Sequence, residues 1–481
     1  MFYKFRKFYL CLIVVYAIVR EVVPLNFLIS SQYVSVGVFL LGGALVLWDL
    51  FCDKNVLKSK NIGWLFAFIF IYGISTIVNA KYGIIDNIKT IGILFIFFFT
   101  LYAYGEKHDK YDFENDLVTV FLTYNLTMGI FLILGIVMYF FDIGYEVSYF
   151  DASAQGFSKE YLRLWGLFTE ANCAAVYSLV VLVSACWLYK KVNRTELKIL
   201  LIINITNSFL FVVLTLSNTA KLVFLICILW MVFCIEWFKC KDEHIIKRAV
   251  ILLFIPCICA TLLFGVIKTT EKVLPYTKHM IQAFPMYETV QKNINKGFDY
   301  LYVDIGSIPV VSGLTSNDDD VINDSLNVEV LERPDKNNSD ITHGRMDRWK
   351  ESFKIYKMSP IVGVTARDVN SFARVNCPEN IFAIYGINVH NSYLEVLVST
   401  GIVGLAAFVV FFVLSVIAVI KVVFSRYSST NIMLSTAMIL VALAGFFHTD
   451  LFFIFRLGGV ILWIILGYFA LQASKLNEKE Y

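Results

Sequence analysis

The sequence predicts an all-α polytopic membrane protein with about 12 transmembrane helices and one large extracytoplasmic loop. Three observations predict it. Of 481 residues, 58% are hydrophobic and only 16% are charged, with a mean hydropathy of +0.69, whereas a soluble domain carries about 25% charged residues. The apolar residues come in runs of about 20, the helix length that crosses a hydrocarbon core about 30 Å thick. They do not alternate as barrel strands would. Finally, Lys and Arg are shared unevenly among the segments that join the runs.

The runs place spans near 8–28, 33–51, 62–79, 88–104, 116–141, 170–189, 198–216, 218–238, 249–267, 396–420, 432–448 and 451–471. With the N-terminus in the cytoplasm, 20 Lys and Arg fall in the inner segments. Seven fall in the short outer segments or outer span ends: Arg20, Lys81, Lys89, Lys159, Arg163, Lys221 and Arg456. An excess of basic residues on the cytoplasmic side is the ordinary orientation signal, so both termini are expected inside. The first run lacks a small-residue cleavage site and reads as a retained span. The net charge of +3 says little by itself. Ten cysteines lie nearly all in spans, and only Cys377 falls in the large outer segment, so no disulfide framework is expected there. Cys257 and Cys259 read as small apolar side chains rather than metal ligands.

The chain divides into helices 1–9 over 1–267, a large outer loop over 268–390, and helices 10–12 with a cytoplasmic tail over 391–481. Within the loop, "SNDDDVINDSLNVEVLERPDKNNSD" (316–340) is acidic and poor in aromatics, the composition of a flexible insert. Asp318, Asp319 and Asp320 lack the spacing of a calcium loop. "GRMDRWKESFKIYKM" (344–358) places Met346, Trp349, Phe353 and Tyr356 at helical spacing, opposite Arg348, Lys350, Lys354 and Lys357. Such a helix suits a membrane surface, its basic side toward anionic lipid or phosphate. No P-loop and no dinucleotide-type glycine motif occurs, and no nucleic-acid partner is expected.

The chemistry concentrates around "VHNSYLEVLVSTGIVGL" (389–405). Ser392 and Glu395 fit a capping box, so a helix is expected to begin at about Ser392. Gly401 and Gly404 lie roughly on one face with Leu394 and Leu397, where they would let another helix approach closely. His390 would then stand outside the positive end of a helix dipole. That setting favours neutral imidazole, the form a general base needs; a histidine that merely binds backbone or a lipid headgroup is the alternative. Arg345 and Arg348 are one helical turn apart, and Arg163 lies at the end of another span. Arginine binds phosphate oxygens in a two-pronged way that lysine does not match. Each arginine taken singly also fits an interface anchor. Together with one histidine they suggest a diphosphate-linked donor and a proton acceptor.

These residues resemble the O-antigen ligase and Wzy-type polysaccharide polymerase superfamily. His390 and Asn391, nine further residues, then Gly401 and Gly404 match its outer-loop signature. Arg345 in "GRMDRWKESF", followed by the Pro360 and Gly363 of "SPIVGV", matches a second. Arg163, Gly166, Phe168 and Asn172 of "RLWGLFTEAN" match a third. The resemblance covers about 160–470. One position departs from it: where many members carry a Ser-Arg pair, Ser217 is followed here by Asn218, and Lys221 lies about one turn further on.

The resemblance implies a GT-C-like, metal-independent glycosyltransferase without cofactor, in the bacterial cytoplasmic membrane with an extracytoplasmic active site. It implies undecaprenyl-diphosphate-linked glycans as donor and acceptor, with membrane lipid, a chain-length regulator and a flippase as further partners. His390 would be the base and Arg163 and Arg345 would bind the diphosphate, with Arg348 and Lys221 as weaker contributors. The expected activity is an O-antigen, capsule or exopolysaccharide polymerase. The alternatives are a ligase that moves a lipid-linked glycan to another acceptor and, in a different class, a lipid-linked sugar transporter.

Overall fold

A computed structural model describes residues 2–29, 32–53, 55–107, 113–145, 155–158, 162–303 and 344–477. The acidic insert 316–340 and Lys159 lie outside the described residues. In chain order the helices are α1 (Phe2–Glu21), α2 (Val23–Ile29), α3 (Gln32–Trp48), α4 (Ile62–Val78), α5 (Ile85–Phe95) and α6 (Phe113–Phe140). Three short strands follow, β1 (Gly144–Tyr145), β2 (Gln155–Ser158) and β3 (Arg163–Gly166). Next come α7 (Ala171–Lys191), α8 (Thr195–Leu214), α9 (Asn218–Lys239), α10 (Ile245–Gln282) and α11 (Tyr287–Val303). The chain ends with α12 (Arg345–Met358), α13 (Val369–Asn376), α14 (Ile381–Tyr385), α15 (Ser392–Ser425), α16 (Ser429–Ala444) and α17 (Leu457–Asn477).

Nine helical segments among the described residues are long and apolar enough to cross a membrane, and α4 and α16 are apolar but shorter. The architecture is that of an all-α polytopic membrane protein. Particular spans depart from the run boundaries. The expected span 8–28 is split, because α1 ends at Glu21 and α2 starts at Val23. Val23 N donates to Leu167 O (2.8 Å) and Thr169 N to Glu21 O (2.8 Å), so the backbone there pairs with residues 167–169 instead of continuing one helix. Pro24, which has no N–H to give, fits such a restart. The last helix begins at Leu457 rather than 451, after an irregular stretch from Gly445 to Arg456. Residues 142–169, between the expected spans 116–141 and 170–189, contain a three-stranded antiparallel sheet in the order β1-β2-β3. Gly156 permits it: its φ of +71° lies in the left-handed region, and a side chain there would strike the Ile143 backbone.

The chain forms two compact units. The first comprises residues 1–17, 33–120 and 340–481. Its core is aromatic. Phe453 stacks on Phe68 and Tyr72 of α4, while Trp463 of α17 meets Phe98, Tyr102, Phe411 of α15 and Phe452. These rings pack most of the irregular 447–456 stretch against α4, α15 and α17. A second cluster joins α12, α13 and α14 to the start of α15 through Ile355, Val364, Phe372, Phe382, Val389 and Leu394. Cys377 belongs to it, and burial pushes its thiol above the usual range. This cluster also corrects the expected orientation of α12. Ser352 and Ile355 are the buried positions and Trp349 and Tyr356 pack beside them, whereas Met346 and Phe353 are exposed.

The second unit comprises residues 18–32 and 121–339. In it α7 packs on α8 and α9 on α10. The 38-residue α10 runs well past the expected span end at 267. Beyond that point Asp142 takes Lys278 as an ion pair and a hydrogen bond from Gln282 Nε2 (2.6 Å), and Gln291 Nε2 donates to Phe141 O (2.8 Å).

Candidate active site

In the first unit, the start of α15 is built around Asn391. Its Oδ1 accepts from Tyr393 N and Leu394 N, both at 3.0 Å, so Asn391 is the N-cap. The helix begins at Ser392 as the sequence indicated, but the expected capping box does not form. Ser392 is the first helical residue, and its hydroxyl donates to His448 O (2.7 Å). Glu395 is then one position too far along to close the box. Ser392 N donates to Gly445 O (2.8 Å) and Tyr393 OH to Ala442 O (2.7 Å). The first turn is therefore pinned to the strip 442–448. His390 lies immediately outside the cap, half-buried, with φ +53°. The left-handed region is uncommon for a residue with a side chain, and His, Asn and Asp are the types enriched there.

The same strip reaches Arg345. This residue opens α12 after Gly344, and its guanidinium lies over the Phe447 ring, 5.4 Å from the centroid. The stretch 445–448 thus touches both the helix that follows His390 and the arginine expected to bind diphosphate. Arg348 is half-buried one turn further along α12.

Gly401 has a different role from the one expected. It adopts φ 64°, ψ −168° inside α15, a conformation essentially restricted to glycine. The helix breaks there, and the turn Pro360–Thr365 occupies the gap. Val364 N donates to Val398 O (2.9 Å), Thr365 N to Ser399 O (3.0 Å), and Ile402 N to Pro360 O (2.8 Å). Backbone groups freed from the helix ladder are re-satisfied by this turn, which is the condition for interrupting a helix within a membrane. Gly363 (φ +71°) faces the break, and a Cβ on it would lie 2.6 Å from Gly401 N. From α4, Ser75 Oγ donates to Ser399 O (3.0 Å) and Asn79 Nδ2 to Gly363 O (3.0 Å). The close approach is thus between Gly401 and a turn, not between helices, while Gly404 faces Thr400 of its own helix.

Beyond the turn lie residues whose importance the sequence did not signal. Asp368 Oδ2 accepts from Thr365 Oγ1 and Asn87 Nδ2, both at 2.7 Å, and Tyr72 OH donates to Asn87 Oδ1 (2.7 Å). Burial raises the Asp368 carboxyl above the usual range, against the lowering effect of those two hydrogen bonds. Arg367 donates from Nε to Thr90 Oγ1 (3.1 Å) and from Nη2 to Phe453 O (3.3 Å). Glu395 is buried, with Arg367, Asp450 and Arg456 as its charged neighbours. One signal was available: His448 and Asp450 interrupt an otherwise apolar stretch.

Arg163 and Lys221 belong to the second unit. Arg163, on β3, is buried; its Nε donates to Thr215 O (2.7 Å) and its Nη2 to Asn172 Oδ1 (2.6 Å). Residues of the third motif are thereby joined: Phe168 packs on Phe211, Gly166 leaves room for that ring, and Asn172 holds the arginine. Ser217 caps α9 through Ala220 N. Lys221 is ion-paired to Glu271, which also takes Lys268 (2.8 Å).

Residues 200–409 match the family model described as O-Antigen ligase, slightly under half of the 481 residues. No curated protein matches the chain. The matched stretch contains Lys221, Arg345, Arg348 and the whole His390–Gly404 motif, whereas Arg163 precedes it. The resemblance carried by the motifs is borne out, and the match supports the O-antigen ligase/Wzy superfamily.

Proposed function

On the premise of that superfamily, we propose that the protein is a metal-independent glycosyltransferase that polymerises polyprenyl-diphosphate-linked repeat units at the outer face of the bacterial cytoplasmic membrane. The family match supports O-antigen ligase/polymerase-type transfer on lipid-linked glycans. The observation that carries the site assignment is the shared strip 445–448, to which both the cap beside His390 and Arg345 are attached.

In the proposed step His390 accepts the proton of an acceptor hydroxyl as its oxygen attacks the anomeric carbon of the donor sugar. The bond from that carbon to the diphosphate breaks, and the electron pair leaves with the phosphate oxygen. Arg345 stabilises the departing charge, with Arg348 one turn away. Arg163 and Lys221 are further diphosphate candidates. Arg163 is held by Thr215 and Asn172, and Lys221 would have to share its charge with Glu271.

Transfer to a different acceptor is the second reading, because the matching family is described by ligase activity. Lipid-linked intermediates in a deletion strain separate the two. Accumulated single repeats indicate a polymerase, long chains left on lipid indicate a ligase, and unchanged lipid-linked pools refute both. In a purified system His390→Ala is expected to lower transfer by about 10²–10⁴-fold. Undiminished product from correctly inserted protein would remove the base from His390.

A further inference from the structure

Glu395 is a carboxylate for which the proposed chemistry has no use. It is 6% exposed, and its Oε2 is buried without a hydrogen-bond partner among the described residues. Its backbone N donates to Asn391 O (2.9 Å), which places it one helical turn along α15 from the His390 end. Its charged neighbours are the cations Arg367 and Arg456 and the anion Asp450. An ionisable group inside a membrane helix is costly unless it is hydrogen-bonded, and it marks a functional position by default.

Arg367 has the complementary surplus. Of the five N–H donors of a guanidinium, its hydrogen bonds to Thr90 and Phe453 engage two. Those bonds come from two different elements and fix the plane of the group, yet the side chain remains exposed. Asp368 Oδ2 is held by Thr365 and Asn87, and Asp86 is a further carboxylate near Arg367.

An oxygen without a donor, close to a cation with donors to spare, fits a ligand whose groups both donate and accept. Hydroxyl is such a group, and a sugar ring presents several at fixed spacing. A phosphate offers acceptors only and would leave Glu395 Oε2 without a donor. An amine would satisfy Glu395 but face two arginines.

We propose that Glu395 and Arg367 form a sugar subsite next to the His390 end of α15. Glu395 Oε2 accepts from one ring hydroxyl, and Arg367 donates to a neighbouring one. The proposal rests on the transfer reading above, and no bond is made or broken at this subsite.

The test uses the full chain in detergent. The donor is the lipid extract of a strain deleted for this protein, which retains its own lipid-linked glycan, and the competitor is glycan-free undecaprenyl diphosphate. Glu395→Gln is expected to raise KM about tenfold, the range for disturbing a buried hydrogen bond. The competitor's inhibition constant should not change, whereas Arg345→Lys should raise both. An unchanged KM, or KM and inhibition constant rising together, overturns the proposal. If Glu395→Gln does not fold, Arg367→Gln decides by the same two readouts. If wild type transfers nothing, the transfer reading falls, and native mass spectrometry judges the subsite alone. Preferential retention of glycan-bearing over bare lipid diphosphate that Glu395→Gln loses supports it, and equal retention by both proteins overturns it.

Discussion

Replacing Gly401 by Ala tests the helix break most directly. At φ 64°, ψ −168° any residue with a Cβ is strained, by roughly 1–3 kcal/mol. The new methyl would also lie 2.6 Å from Val362 N and inside the contact distance of the Ile361 carbonyl. Both neighbours are backbone, so no rotamer change relieves the clash. Relief requires the turn Pro360–Thr365 to withdraw, which gives up the bonds from Val364 N, Thr365 N and Ile402 N, each worth about 1 kcal/mol net. Strain plus lost bonds reaches about 4–6 kcal/mol, against a total stability on the order of 5–15 kcal/mol. Gly73→Ala in α4 is the matched control, since nothing lies within 4 Å of its would-be Cβ and the change favours a helix by about 1 kcal/mol. Thermal melting of the purified full chain, followed by tryptophan fluorescence, reads the outcome. Gly401→Ala should melt well below wild type and Gly73→Ala at or above it. If the two variants melt alike, the break is not held as described.

Arg345→Lys keeps the charge but loses both the planar fork and the stack on Phe447. Donor KM should rise about tenfold with melting unchanged, and wild-type kinetics would argue against a two-pronged phosphate contact. Asn391→Ala removes the cap of α15 and should cost about 1 kcal/mol, while Asn391→Asp should melt close to wild type; equal melting of all three would deny the cap. The Asp368 carboxyl is raised by burial, so its contribution to stability is complete at low pH and lost as pH rises through its raised folded value. The melting temperature of wild type should therefore fall relative to Asp368→Asn across that window, and a rise would reverse the assignment.

Long apolar runs made most helices legible, because a membrane span is a one-dimensional property of the chain. What escaped was set by contacts distant in sequence. The break in α15 sits inside an apolar 34-residue helix, where the sequence marks Gly401 as a place of close approach but not what approaches. The partner is a turn about forty residues earlier, and the motif residues Pro360 and Gly363 belong to it. Similarly, Ser392 and Glu395 fit a capping box by spacing, yet Asn391 caps the helix instead, and the N–H groups the box would use donate to Asn391 O and Gly445 O. The candidate histidine and arginines were legible as residue types. Arg367 and Glu395 were not legible as neighbours, since their relation depends on Phe453 and Thr90 orienting the arginine. The small sheet that carries Arg163 escaped because its strands are of two to four residues, too short for any alternation to show.

The divided α15 also has a consequence for assembly. Its second part, Ile402–Ser425, is about 36 Å long at 1.5 Å per residue and crosses the hydrocarbon core of about 30 Å unaided. The first part, Ser392–Thr400, is about 13 Å long and does not. Insertion into the bilayer therefore needs only the later segment. The earlier one takes its place by packing against the turn Pro360–Thr365. The position of His390 is thus set by how the short first part docks rather than by the spanning segment, so a variant can insert normally and still misplace it.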